Sequence, residues 1–91
     1  MDALNREMPR WKTLKIEVDG RIARVTLNRP EKLNALSREL MSEIVELGAW
    51  LKLREDIRVV ILSGAGRSFC AGFDLNDFSS ASAGESPRQA A

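Results

Sequence analysis

The part of this sequence best suited to chemistry is a glycine-rich stretch. "SGAG" (63–66) runs almost directly into "SFCAGFDL" (68–75), which sets Phe73 between Gly72 and Asp74. Glycines clustered after an apolar strand mark a place where the backbone itself approaches something, since glycine alone enters positive φ at little steric cost. Three uses compete: a cradle for a phosphate, amides aimed at a carbonyl oxygen, or a plain turn. The cradle fits poorly. Gly64 and Gly66 are present, but Phe69 stands where a dinucleotide fingerprint needs its third glycine, and no Gly-Lys-Ser/Thr follows. An oxyanion site asks for less. Backbone N–H groups held rigidly by such a loop can donate to a carbonyl oxygen as it gains negative charge. No special side chain is required at the donating residue, so Phe73 can offer its amide while its ring lines a pocket.

The rest of the composition narrows the chemistry further. The chain has no histidine, which removes Ser-His and Cys-His nucleophilic pairs. With one cysteine and carboxylates as the remaining ligand types, a zinc site is not expected. Cys70 has no partner for an internal disulfide, and nothing near it in sequence would activate a thiolate, so it reads as a small buried hydrophobe. A net charge of +1 argues against a nucleic-acid or anionic-membrane partner. No apolar stretch approaches the roughly 20 residues of a membrane span. The opening "MDALNREMPRW" has no apolar run and carries Asp2 and Glu7, unlike a secretory or transit segment, so the cytoplasm is the default address.

These residues need elements to position them. The segments "LKIEV" (14–18) and "RIARVTL" (21–27) alternate apolar and polar residues as half-buried strands do, and Asp19-Gly20 between them predicts a tight hairpin. From Leu36 the period becomes helical: Leu36, Leu40, Met41, Ile44, Val45, Leu47 and Leu51 are expected to form one apolar face of a helix over 37–52. Ser37 suits its N-cap. Glu39, Glu43 and Glu46 are assigned to its solvated face, and Gly48 to close packing against a neighbour. The continuous run "VVIL" predicts a strand over 58–63 buried on both faces. A helix linking two strands in this way suggests a parallel crossover. Residues 1–12 read as a loose arm, and the Ser/Ala/Gly-rich 79–91 as a disordered tail or linker. Three strands and one long helix leave the strand at 58–63 short of cover. The chain reads as part of something larger.

Together, "NRPEKLNALS" (28–37), "VVILSGAG" (59–66) and "SFCAGFDL" (68–75) resemble the enoyl-CoA hydratase/isomerase, or crotonase, family. The resemblance covers roughly residues 13–78 and implies an α/β, crotonase-like fold, present in part. It also implies an acyl-CoA thioester as substrate, no covalently bound cofactor, and assembly into trimers or pairs of trimers. By resemblance the Phe73 N–H polarises the thioester carbonyl. The backbone around Ala71 and Gly72 meets the adenine of CoA, with Asp74 and Leu75 beside it, and Glu31, Lys32 and Leu33 line the CoA path. The stretch "SGAGRSFCAGFDLNDF" looks closest to the dienoyl-CoA isomerase branch. Family members run well beyond this length. Their second oxyanion donor and proton-moving acids fall downstream of these residues, so the chain is expected to match an N-terminal portion of the fold and, alone, to be inactive.

Simpler roles stand beside these. Asp74 equally suits the N-cap of a helix opening at "LNDF". Lys32 and Arg67 serve as well as solubilising loop residues, and Phe69 and Phe78 as core or pocket wall. Two rival functions remain: a non-catalytic fragment or binding module sharing the opening of the fold, and a small βαβ nucleotide-binding protein.

Overall fold

The computed structural model describes residues 8–81. Their order is β1 (Leu14–Asp19), β2 (Ile22–Leu27), a 3-10 turn (Pro30–Lys32), α1 (Arg38–Lys52), β3 (Val59–Gly64) and α2 (Leu75–Ala81). The strands form one sheet in the order β1-β2-β3. β1 pairs antiparallel with β2, and β2 pairs parallel with β3, so α1 lies in a parallel crossover. Each expected strand and the long helix is present to within a residue. Residues 79–81, assigned by composition to the tail, complete α2; the remaining expected tail and positions 1–7 of the arm lie outside the described residues.

The hairpin turn falls one residue later than expected. Asp19 still pairs with Ile22, leaving Gly20 and Arg21 as the turn, with Gly20 at φ 63°. A glycine at the first central position supplies the positive φ that a two-residue hairpin needs.

Register explains the core. Leu14 faces Leu27, Ile16 faces Val25 and Val18 faces Ala23, so one side of the hairpin is apolar. Leu40 and Leu47 of α1 seal Leu14, Val25 and Leu27 into a single cluster. Complete burial of each such side chain contributes roughly 1.5–3 kcal/mol.

The buried side of α1 keeps only part of the face expected, with Leu36 and Leu51 packed at its ends. It runs Leu40, Glu43 and Leu47, whereas Met41, Ile44 and Val45 are open to solvent. Glu43, assigned to the solvated face, is buried because it terminates the start of β1. One of its oxygens accepts the Thr13 N–H at 2.9 Å and the Thr13 hydroxyl at 2.6 Å, and the other accepts the Lys12 N–H at 3.1 Å. Buried carboxylates need such partners. Trp11 adds a bond from its indole N–H to Glu46 at 2.8 Å, fastening the last part of the expected arm to the helix. Ser37 caps α1 as expected, its hydroxyl accepting the Leu40 N–H at 3.1 Å. Gly48 is not a packing glycine: a Cβ there would meet nothing within 4 Å.

β3 departs most from expectation. Val59, Val60, Ile61 and Leu62 remain 48, 46, 40 and 50% exposed, rather than buried on both faces. β3 is the edge of a three-stranded sheet, and the core contacts of α1 fall on β1 and β2. No helix of the described residues is long and apolar enough to cross a membrane.

Candidate functional site

The glycine loop after β3 folds back on itself. A Cβ on Gly64 would lie 2.5 Å from both the Ser68 and the Phe69 carbonyl oxygens, so only glycine lets these two backbone runs touch. Gly66 and Gly72 sit at φ 80° and 98°. Thus the first glycine serves the loop's own closure, and the others serve its turns.

Two side chains hold this loop against the segment after β2. Asn34 is fully buried at φ 57°. Its amide nitrogen donates to the Ala65 carbonyl at 2.9 Å and the Ser68 carbonyl at 2.7 Å, while its amide oxygen accepts the Arg29 N–H at 2.7 Å. Both amide protons and the carbonyl are therefore used, as a buried polar group requires. Arg29 adds a fork: one guanidinium nitrogen donates to the Ala35 carbonyl and the other to Asp74 at 3.1 Å. Both members of that ion pair are largely shielded, at 15 and 13% side-chain exposure. No role is expected from the sequence for Asn34 or Arg29. The available signal was an Asn beside a proline turn, since Asn tolerates left-handed backbone better than most residues.

The two segments join through one parallel bridge between Leu36 and Phe73. Leu36 donates its N–H to Gly72 at 2.7 Å and accepts the Asp74 N–H at 3.0 Å. In such a bridge the residue between the two bonded neighbours turns its own N–H the other way. Phe73 is that residue, and its N–H donates to no acceptor among the described residues. Its ring is 61% exposed and meets Phe78 edge-on, with centroids 5.7 Å apart.

Asp74 performs the capping role. It accepts the Asp77 N–H at 3.1 Å, and Asp77 in turn accepts the Arg38 N–H at 2.8 Å, which ties α2 to the start of α1. The Asp77 N–H first, then the bond from Arg29, hold the Asp74 carboxyl below the usual Asp range against the opposing effect of burial; the charges of Arg29 and Lys32 add to the shift.

An open cleft of about 390 Å³ lies here, lined by Lys32, Ala35, Phe73, Asp74, Leu75 and Asn76. It gathers four of the expected site residues. Glu31, Leu33, Ala71 and Gly72 do not line it. Leu33 and Ala71 are joined by a 3.1 Å backbone bond that commits the Ala71 N–H, and the Gly72 carbonyl is taken by Leu36. Glu31 is exposed on the 3-10 turn, and Phe69, expected in the core or a wall, is 54% exposed. Among the described residues no cluster of three or more His, Cys, Asp or Glu could hold a metal.

Residues 17–90 match the family profile described as enoyl-CoA hydratase/isomerase. The chain belongs to that family. It is 44% identical over 69 residues to hydroxycinnamoyl-CoA hydratase-lyase of Pseudomonas fluorescens, covering 76% of this chain and 25% of the relative. It is 42% identical over 78 residues to the peroxisomal Delta(3,5)-Delta(2,4)-dienoyl-CoA isomerase of Arabidopsis thaliana, covering 82% and 28%. Among solved structures, the enoyl-CoA hydratase of Mycobacterium tuberculosis H37Rv superposes with a TM-score of 0.71 at 43% identity, over 75% of this chain and 31% of that one. The fold is therefore crotonase-like and partial: the chain spans a quarter to a third of these enoyl-CoA hydratase/isomerase relatives. Identities of 44 and 42% do not separate a hydratase-lyase from an isomerase, so the likeness to the dienoyl branch goes no further.

Proposed function

We propose that this chain binds an acyl-CoA thioester beside Phe73 and polarises its carbonyl through the Phe73 N–H, as the opening part of a hydratase or isomerase site. The observation that carries this reading is the Phe73 amide, left without an acceptor while both flanking residues are fixed by Leu36. A donor already immobilised and unpaid by any internal bond is what stabilisation of a developing oxyanion needs. Lys32 at the cleft offers a cation for the CoA phosphates, with Glu31 and Leu33 on the same turn. The free Ala71 carbonyl offers an acceptor for the adenine amino group, next to Gly72.

Within this reading the chain binds rather than turns over. Asp74 and Asp77 are committed to backbone N–H groups and, for Asp74, to Arg29, leaving neither placed to move a proton. The chain thus supplies the carbonyl-polarising share of the site without the proton-moving groups, working in the cytoplasm and associating with further copies of itself through the uncovered β3. Calorimetry with an acyl-CoA beside free CoA tests the site. Tighter binding of the thioester is expected; equal affinity, or none, would overturn the reading.

A further inference from the structure

We infer that Arg29 is the positioning residue of the Phe73 amide, acting as a two-pronged spacer between the segments that aim it. The inference rests on the acyl-CoA reading above and deepens it. The direction of the Phe73 N–H follows from a single parallel bridge: Leu36 N–H to Gly72, and Asp74 N–H to Leu36. An isolated bridge has no ladder on either side to keep it in register. Arg29 supplies the missing constraint. One guanidinium nitrogen holds the Ala35 carbonyl, adjacent to Leu36, and the other holds the Asp74 carboxylate at 3.1 Å, adjacent to Phe73. One planar group therefore grips both partners of the bridge at the neighbouring residue.

The base of the fork is fixed as well. The Arg29 N–H donates to the Asn34 side chain at 2.7 Å, and its carbonyl accepts the Asn34 N–H at 2.8 Å, closing a ring around the 3-10 turn. The Arg29 side chain touches no residue expected to hold CoA except Asp74; its contact with Lys32, whose N–H donates to the Arg29 carbonyl at 2.9 Å, is made by the backbone and survives a change of side chain. Its effect on a ligand should appear in how the carbonyl is polarised, rather than in whether CoA binds. Lysine cannot reproduce the fork, because an ammonium is a point charge without the planar pair of donors.

Cinnamoyl-CoA reads this directly: its conjugated thioester absorbs further to the red when a hydrogen bond draws charge onto the carbonyl oxygen. The full chain, saturated with cinnamoyl-CoA, is expected to show that shift. In Arg29→Lys at saturation the shift should be lost, while affinity for free CoA and the far-ultraviolet dichroism are retained. An undiminished shift in Arg29→Lys overturns the role of Arg29 and leaves the acyl-CoA reading intact. Absence of a shift in the wild type overturns the reading and the inference together. Should Arg29→Lys fail to fold, Asp74→Asn removes the other end of the same prong. Read again at saturation, where weaker binding does not register, a retained shift in that variant likewise refutes the inference.

Discussion

The loop around Phe73 and the strand β3 lie next to each other in sequence and treat their unsatisfied groups in opposite ways. Around the loop two side chains are fully engaged within the chain and, among the described residues, the Phe73 N–H is left open between them: Asn34 uses all its donors and its acceptor, and Asp74 is bonded to both Arg29 and the Asp77 N–H. β3 keeps four large apolar residues 40–50% exposed and forms an edge with no further strand among the described residues. The sheet grades in the same direction. On the side away from α1, Lys15 and Glu17 of β1 give way to Arg24 of β2 and then to Val59 and Ile61 of β3. Along the row Glu17, Arg24 and Ile61 charge gives way to an apolar side chain at the edge of the described sheet. The loop around Phe73 is braced from within, whereas β3 is left without apolar cover among the described residues.

If that contrast is right, the largest effect belongs to Asn34. Asn34→Ala leaves the Arg29 N–H and the Ala65 and Ser68 carbonyls without their partner in a fully buried place. Each orphaned buried group costs about 1–3 kcal/mol, so a loss of about 3 kcal/mol or more is expected in urea unfolding. A loss below about 1 kcal/mol would mean that water replaces those bonds and the loop is not self-contained.

The opposite result is expected on β3. Ile61→Lys places a charge on a side chain that is 40% exposed, so the stability of the single chain should move within about 0.5 kcal/mol. Its effect should fall on association. Exposed apolar patches drive self-assembly, and sedimentation of the wild type should show species larger than the 10.1 kDa monomer that the variant reduces. A wild type that sediments as a strict monomer would remove self-association as the use of this edge.

Much of this contrast was legible in the sequence, and its limits have physical causes. The change of period from two to 3.6 and back marks each element of the sheet and α1, because periodicity follows from backbone geometry alone. The glycine loop was legible because glycine records a backbone demand, whereas Phe73 was singled out through the family resemblance. The roles of Glu43, Asn34 and Arg29 were not legible. All three are polar residues whose partners lie at sequence separations from 5 to 45, and no local pattern encodes such pairings. For Glu43, helical position suggested solvent, yet tertiary contact with Thr13 overrode it. The exposure of β3 was half legible: the composition said the strand requires cover on both faces, and the shortage of other elements said that this stretch does not provide it.

The smallest effect is the pH dependence contributed by Asp74, and its sign follows from the direction of its shift. The carboxyl is held below its ordinary value, chiefly by the Asp77 N–H and then by Arg29. A group whose folded pKa is depressed stabilises the fold fully above its unfolded pKa, near 3.9 for Asp, and loses that contribution as pH falls through the folded value. Asp56 is depressed too, first by its hydrogen bond from Arg54, so the acid limb of the wild type alone does not isolate Asp74. Comparison with Asp74→Asn does. The asparagine retains an oxygen for the Asp77 N–H but has no charge to offer Arg29, so the stability gap should be widest near neutrality and close as the solution is acidified below the ordinary Asp range. Added salt should narrow it little, because both side chains of the Arg29–Asp74 pair are shielded from solvent. A gap that stays constant down to pH 2 would show that Asp74 acts only through the shape of its cap. The charge across the bridge beside Phe73 would then contribute nothing to holding the loop.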